Sequence, residues 1–291
     1  MIHPVDALLK PQISVVVPTC NRPELLKRAL ASVLAQTFQD FEIIVVDDGV
    51  QSAAEVTASF GDARIRYIKN DGAHGGGAAR NRGIEAAKGE FIAFLDDDDQ
   101  WMPEKLQKQV ALLKNAGPKT AFCFSAVVNI RDNGKEVTHV PEGETNFLER
   151  ALTRFSGFLT STLVVKRDAL LAVGGFDESF PAGQEPDLII RLSEKYDGIG
   201  INEPLVTMSM EGSYEHIGSS PARLIVGRGM LIAKHAALFV SRPRLLAKHY
   251  FRIGLAYRDS GNVKEARRFF LKAFIFSYNP RYLFHVFASH L

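Results

Sequence analysis

Cysteine is nearly missing: Cys20 and Cys123 are the whole complement of a 291-residue chain. They stand far apart, and neither sits in a C-x-x-C pair or a His-rich stretch, so no disulfide framework, zinc site or redox pair is indicated. A reducing compartment suits such a chain, and the cytoplasm is the expected location. No apolar run approaches the roughly 18 residues of a spanning helix. The start, from Met1 to Lys10, has no basic stretch followed by an apolar core and a small-residue cleavage site, so secretion is not signalled. Acidic residues are scarce at the other end: from Pro221 onward there are 13 Lys and Arg against 2 Asp and Glu, or +11, which leaves −9 for residues 1 to 220. Two stretches so different in charge meet different partners.

With 46% hydrophobic residues and a mean hydropathy near zero, the chain can bury a substantial core, as one large domain or a domain with an appendage. The first hundred residues alternate β-rich runs with helical patterns. Strands are predicted at Ile13 to Val17, Phe41 to Val46, Ile65 to Ile68 and Phe91 to Leu95, each followed by a helix, which is the order of a parallel sheet wrapped by helices. In the first helix Asn21 is the candidate cap, Glu24 follows three residues on, and Leu25, Leu26, Ala29, Leu30, Val33 and Leu34 form one apolar stripe. Gly89 is expected to stop the third helix and Pro103 to open the fourth. Beyond Gly117-Pro118 the pattern is less regular. It gives a strand at Thr120 to Ser125, a hairpin turn at Asp132-Asn133-Gly134, a helix near Phe147 to Phe155 and a strand at Thr162 to Val165. From about Arg223 the chain is helical and basic. The expected division is a catalytic domain over 11–215, with halves 11–117 and 118–215, and a separate module over 221–291.

Ligands of open parallel sheets bind beyond the carboxyl ends of the strands, so the polar residues are read there. The first strand ends in Pro18-Thr19-Cys20-Asn21-Arg22, the second in Asp47-Asp48-Gly49 and the fourth in Asp96-Asp97-Asp98-Asp99. Four adjacent aspartates repel one another by about 4 kcal/mol per pair at 4 Å and an effective dielectric of 20, and a divalent cation relieves this. Asp96 and Asp98 fall on one side of an extended segment, a spacing that suits magnesium or manganese held against a diphosphate. The competing reading is a helix-capping acid run. A dinucleotide loop at Gly75-Gly76-Gly77 is a poor match, because those glycines follow the third strand and Arg80 replaces the last glycine of the pattern.

Five stretches in order carry a resemblance: Val15 to Arg22, Ile43 to Gly49, Gly77 to Gly83, Gly89 to Asp99, and Gly174-Gly175-Phe176-Asp177. Over roughly residues 11 to 215 the chain resembles the family 2 glycosyltransferases, whose GT-A fold is a Rossmann-like mixed α/β sheet flanked by helices. The resemblance implies an inverting, metal-dependent transfer of a sugar from a nucleotide diphosphate donor, a UDP-sugar as first guess, to an acceptor hydroxyl. It implies that Thr19 and Asp48 hold the base and ribose, that Asp96 borders the nucleotide, and that Asp98, with Asp96, takes Mn2+ or Mg2+. Pro18, Asn21, Arg22, Asp47, Arg80 and Asp97 complete the expected donor site. Surface polysaccharide or a lipid-linked glycan is the expected acceptor.

The transfer needs a carboxylate away from the metal to accept the hydroxyl proton. Gly183-Gln184-Glu185-Pro186-Asp187 supplies one: Pro186 suits a first helical position and leaves Glu185 at the helix mouth. The resembling family usually reads Glu-Asp there, so the base is retained with one methylene more. A helix-start charge is the plain alternative for Glu185. Asp187 either pairs with Arg191, four residues on, or meets the acceptor, and Trp101 is placed with it on the acceptor side. In the tail, Gly254, Tyr257, Gly261, Ala266, Phe270 and Ala273 match the spacing of a tetratricopeptide-like helix pair. Its basic and aromatic residues either lie on an anionic membrane, peripherally on the inner face, or form a helix core with a solvated charged face. No nucleic-acid-binding motif is present, so nucleic acid is not an expected partner. A nucleotidyltransferase and a non-catalytic nucleotide-sugar-binding module are the alternative functions.

Overall fold

The computed structural model describes residues 10–72, 74–131, 134–153, 158–209 and 220–288. Among these described residues, ten strands form one mixed sheet. They are β1 (Ile13–Thr19), β2 (Phe41–Asp47), β3 (Ile65–Lys69), β4 (Phe91–Phe94), β5 (Asp99–Trp101), β6 (Thr120–Arg131), β7 (Gly134–Thr138), β8 (Gly143–Thr145), β9 (Leu163–Lys166) and β10 (Asp197–Ser209). The order is β3-β2-β1-β4-β9-β6-β10-β5, with β7 on β6 and β8 on β10. β3, β2, β1 and β4 run parallel, β9 is antiparallel to both its neighbours, and β10 returns parallel to β6. β1, β2 and β4 are covered on both faces, which is why they read as unbroken apolar runs rather than alternating ones.

The helices of this region are α1 (Pro23–Leu34), α2 (Ala54–Ala58), α3 (Gly76–Ala86), α4 (Lys105–Asn115) and α6 (Arg167–Ala172). The predicted stripe of α1 faces inward through Leu26, Ala29, Leu30 and Val33. α3 lies against β1 because Gly83 has no side chain; a Cβ there would come within 2.3 Å of Val16 Cγ1.

Several local expectations shift. Arg22, not Asn21, stands at the N-cap position of α1, without a side-chain capping bond, and Pro23 is at the first position; Asn21 sits at φ 56° and its Oδ1 accepts from Gln51 N at 2.8 Å. Asparagine tolerates that left-handed conformation, so it turns the chain before the helix. α4 begins two residues after Pro103, because the segment before it is drawn out into β5, which pairs with Val206, Thr207 and Met208 of β10. α3 ends before Gly89. β6 runs six residues past the predicted Ser125 and pairs with β7 as a hairpin; Asp132 and Asn133 of the predicted turn lie outside the described residues. The helix expected near Phe147 to Phe155 is α5 (Leu148–Thr153), and Thr160–Thr162 forms a 3-10 turn before β9.

The chain divides into two compact units. One holds Met1–Phe147, Leu159–Phe176 and Arg191–Gly212, and contains the whole sheet; the second holds Leu148–Phe158, Asp177–Ile190 and Ser213–Leu291. By packing, α5 and the start of α7 (Gln184–Ser193) group with α8 (Pro221–Lys234), α9 (Ala236–Val240), α10 (Pro243–Asp259), α11 (Val263–Ser277) and α12 (Pro280–Ala288). One tie is the buried His249 of α10, whose Nε2 lies 2.7 Å from the Leu152 carbonyl of α5. The α10–α11 pair follows the predicted spacing, since a Cβ at Gly254 would meet the Phe270 ring at 2.6 Å, and Ala266, Phe270 and Ala273 are buried. Among the described residues no helix is long and apolar enough to cross a membrane.

Candidate active site

In the parallel half of the sheet, β2, β1 and β4 are adjacent, so their carboxyl ends bring the three polar loops to one edge. Thr19, at the end of β1, donates from Oγ1 to Asp97 Oδ2 at 2.7 Å. Arg22 bridges two aspartates, with Nη2 2.7 Å from Asp97 Oδ1 and Nη1 3.1 Å from Asp98 Oδ2. Arg80, buried in α3, donates to Asp96 Oδ1 at 2.6 Å, and the Thr160 hydroxyl donates to Asp96 Oδ2 at 2.9 Å. Ser161 donates to Asp99 and accepts from Asp96 N. Each aspartate of the run thus meets a cation or a hydroxyl.

Two of these carboxyls are shifted by their surroundings. Burial pushes the Asp97 carboxyl up to about 6, against the pull of Arg22 and Thr19, and burial with the neighbouring aspartates raises Asp99 well above the usual range. Asp96 and Asp98 remain partly accessible, with side chains 31% and 21% exposed. Among the described residues no three His, Cys, Asp or Glu side chains converge as a metal cage. A hard cation held by one or two carboxylates and a substrate diphosphate needs no such cage, and Asp98 and Asp96 suit that mode of binding.

The two aspartates after β2 differ. Asp47 is fully buried: its oxygens accept from Gly49 N and Ala53 N at 2.9 Å and from the Tyr67 hydroxyl at 2.7 Å, and Lys69 lies 3.3 Å away. Burial raises its pKa, but these hydrogen bonds outweigh that and hold it below the usual carboxylate range. Asp47 shapes its own loop. Asp48 takes Asn70 Nδ2 at 3.2 Å and the backbone N–H groups of His74 and Gly75 at 2.8 and 2.6 Å. The N–H groups beside the Gly75-Gly76-Gly77 run therefore meet a protein carboxylate.

Pro18 is half-buried at the end of β1 and Asn21 is exposed in the loop that follows. Trp101, expected on the acceptor side, is core: it is 5% exposed, its indole N–H donates to the Ser161 carbonyl at 2.8 Å, and Lys105 Nζ lies 4.1 Å from its ring centre. Lys105 is itself fully buried and among the described residues its Nζ meets no hydrogen-bond acceptor; burial pulls its pKa down to about 7.

In the second unit, α7 starts at Gln184, after Gly183 at φ 84°, so Pro186 is its third residue rather than its first. Proline is tolerated there because first-turn N–H groups have no intrahelical acceptor. Glu185 is half-buried. Asp187, the other residue expected on the acceptor side, is fully buried and meets Lys234 and His235 of the C-terminal helices. Reading the sequence missed Thr160, Ser161, Lys105, Lys234 and His235. The hydroxyl run Thr160-Ser161-Thr162 against an apolar strand was a usable signal; the others carried none.

Comparison with known proteins identifies the family and the fold. The Glycosyl transferase family 2 profile matches residues 14–172, more than half of the chain. The amylovoran biosynthesis glycosyltransferase AmsB of Erwinia amylovora is 33% identical over 221 residues, covering 71% of this chain and 73% of AmsB. A putative colanic acid biosynthesis glycosyl transferase of Escherichia coli, WcaA, is 42% identical over 99 residues, 33% of this chain and 36% of that protein. Some relatives are longer; one from Rickettsia bellii is covered over 27% of its length. Among solved structures, S. aureus TarS in complex with UDP-GlcNAc superposes with a TM-score of 0.67 at 17% identity, covering 90% of this chain and 81% of that one. The mannosyltransferase PcManGT from Pyrobaculum calidifontis, in complex with GDP-Man and Mn2+, gives 0.58 at 18% identity, covering 97% and 84%. The fold is that of the GT-A-like glycosyltransferases. The chain belongs to Glycosyl transferase family 2 and is a glycosyltransferase.

Proposed function

We propose that this enzyme transfers a sugar from a nucleoside diphosphate donor to a hydroxyl of a growing surface polysaccharide or lipid-linked glycan, with inversion at the anomeric carbon. The observation that carries the reading is the carboxylate run after β4, flanked by Thr19 and Arg22 from the β1 loop and Arg80 from α3. Asp48 and Thr19 hold the nucleoside, Arg22 and Arg80 set the positions of the aspartates, and Asp47 supports the loop from behind. Mn2+ or Mg2+, held by Asp98 and Asp96, supplies charge stabilisation for the leaving diphosphate. AmsB and WcaA are named for polysaccharide synthesis, which supports a glycan acceptor.

Glu185 is the base. In one displacement the acceptor oxygen forms its bond to the anomeric carbon while the bond from that carbon to the diphosphate oxygen breaks. The electron pair leaves with the nucleoside diphosphate, and the hydroxyl proton passes to Glu185. No sugar becomes attached to the enzyme. Calorimetric binding and nucleoside diphosphate release across UDP-, GDP- and dTDP-sugars, with manganese, magnesium and chelator, test the donor site. Metal-dependent binding of one donor is the expected result, and binding of none with either metal overturns it.

The C-terminal helices support a location on an anionic membrane face. Ile275, Tyr278, Phe284 and Phe287 are exposed, up to 79% at Tyr278, so these side chains are not the core of the helix pair. Lys264, Arg267, Arg268, Lys272 and Arg281 accompany them against the single acid Glu265, and a basic residue near an anionic surface contributes about 1 kcal/mol. Flotation with phosphatidylglycerol vesicles at low salt is expected to carry the protein upward and pure phosphatidylcholine to leave it behind; no flotation with either removes the membrane from the proposal.

A further inference from the structure

The end of α8 and the start of α7 are joined by charge. Lys234 Nζ lies 2.9 Å from Asp187 Oδ1 and 2.6 Å from Asp177 Oδ2, and His235 Nε2 lies 2.9 Å from the same Asp187 Oδ1. Asp187 is fully buried, His235 nearly so, and Lys234 one-third exposed. The two donors are consecutive, at the junction where His235 closes α8 and opens α9, so one backbone corner holds the carboxylate from two directions. Burial pushes Asp177 up, but Lys234 and the Ser179 hydrogen bonds outweigh it and bring Asp177 down to about 2. Lys234 is therefore a fixed cation shared by two carboxylates, not a solvated surface charge.

Asp187 is two residues from Glu185 in the first turn of α7. Side chains two apart on a helix point about 200° from each other, so holding one inward sets the direction of the other. A glutamate has three side-chain torsions, and its aim depends on the rotation of the turn that carries it. Misplacement by about 1 Å can cost a hundredfold in rate.

We propose that Lys234 and His235 are positioning residues for Glu185: by gripping Asp187 they fix the rotation of the first turn of α7, so that the C-terminal helices take part in the transfer. This rests on Glu185 being the base. The grip acts on the proton-accepting step and leaves donor binding alone.

The full chain is assayed by nucleoside diphosphate release from UDP-GlcNAc, UDP-glucose, UDP-galactose and GDP-mannose with manganese. Lys234→Met is expected to lower kcat ten- to a hundredfold with the donor KM within twofold, and Lys234→Arg to recover most of the loss. Removing one partner of a buried carboxylate can unfold a protein, so Asp187→Asn/Lys234→Met, which removes both charges, is measured alongside and is expected to fold and show the same kcat loss. In a Glu185→Gln background Lys234→Met is expected to add nothing. Unchanged kcat in the folded double variant, or a further loss on top of Glu185→Gln, overturns the positioning role and leaves Glu185 as base. Wild-type turnover by Glu185→Gln overturns the base and this inference together.

Discussion

Two carboxylate clusters are built on opposite terms. Asp96 to Asp99 stand shoulder to shoulder, and the arginines and hydroxyls around them leave Asp97 raised to about 6 and Asp99 higher than its ordinary range. Asp177 and Asp187 come from separate segments onto one lysine, and Asp177 is lowered to about 2. In the first cluster burial, the largest cause, and the neighbouring aspartates hold Asp97 and Asp99 up, against the pull of Arg22, Thr19 and Ser161. The second is closed: its charges are paired and it holds helices.

The largest effect should come from breaking the first cluster. Asp98→Asn is expected to reduce turnover by about two to three orders of magnitude, comparable with losing a charge-stabilising group, while the thermal midpoint stays level or rises. A large fall in the midpoint would mean that Asp98 is structural like Asp187. Lys105 sharpens the contrast from within the same region, as a buried cation with no acceptor among the described residues. Lys105→Met is expected to stabilise the protein by about 1–4 kcal/mol at neutral pH, read by denaturant unfolding. With a folded pKa of about 7 against 10.5, the unfolded chain holds more protons between those values, so wild-type stability rises with pH across that window and the variant stays flat. Trp101 is the sole tryptophan, so its emission reports directly on the charge 4.1 Å away.

His249 probes the helical region. Burial, partly offset by the Leu152 carbonyl, lowers its pKa to about 4 from 6.5. Between those values the unfolded state binds the extra proton, so stability falls as pH drops from 6.5 to 4, by about 3 kcal/mol in all. His249→Gln should flatten that stretch of the stability curve, and an unchanged slope would assign the acid loss elsewhere. The smallest effect is expected from Asp177→Asn, about 1 kcal/mol by denaturant unfolding, since the site is partly exposed and Lys234 keeps Asp187.

The parallel half of the fold was legible because burial on both faces forces β1, β2 and β4 to be continuously apolar, and the polar residues that end them must then lie at one sheet edge. The acid run stood out for the same reason. The errors are local and share a cause. Asn21 has the chemistry of a cap, but the close approach of Gly49, where a Cβ would come within 2.5 Å of Asn21 N, uses it as a turn. Pro103 has the form of a helix start, but pairing of β5 with β10 delays the helix. Trp101 and Asp187, placed on the acceptor side from the sequence, are both buried by packing.

The sequence by itself determined the family, the order of strands and helices through Phe94, and the residue types at the strand ends, because each follows from periodicity or from a contiguous motif. Tertiary structure alone decided which cation neutralises which aspartate, that residues 148–158 and 177–190 group with the C-terminal helices, and that Lys234 and His235 grip Asp187 across nearly fifty residues. Such pairings depend on where separate elements come to rest, and no local pattern of apolar and polar residues records that.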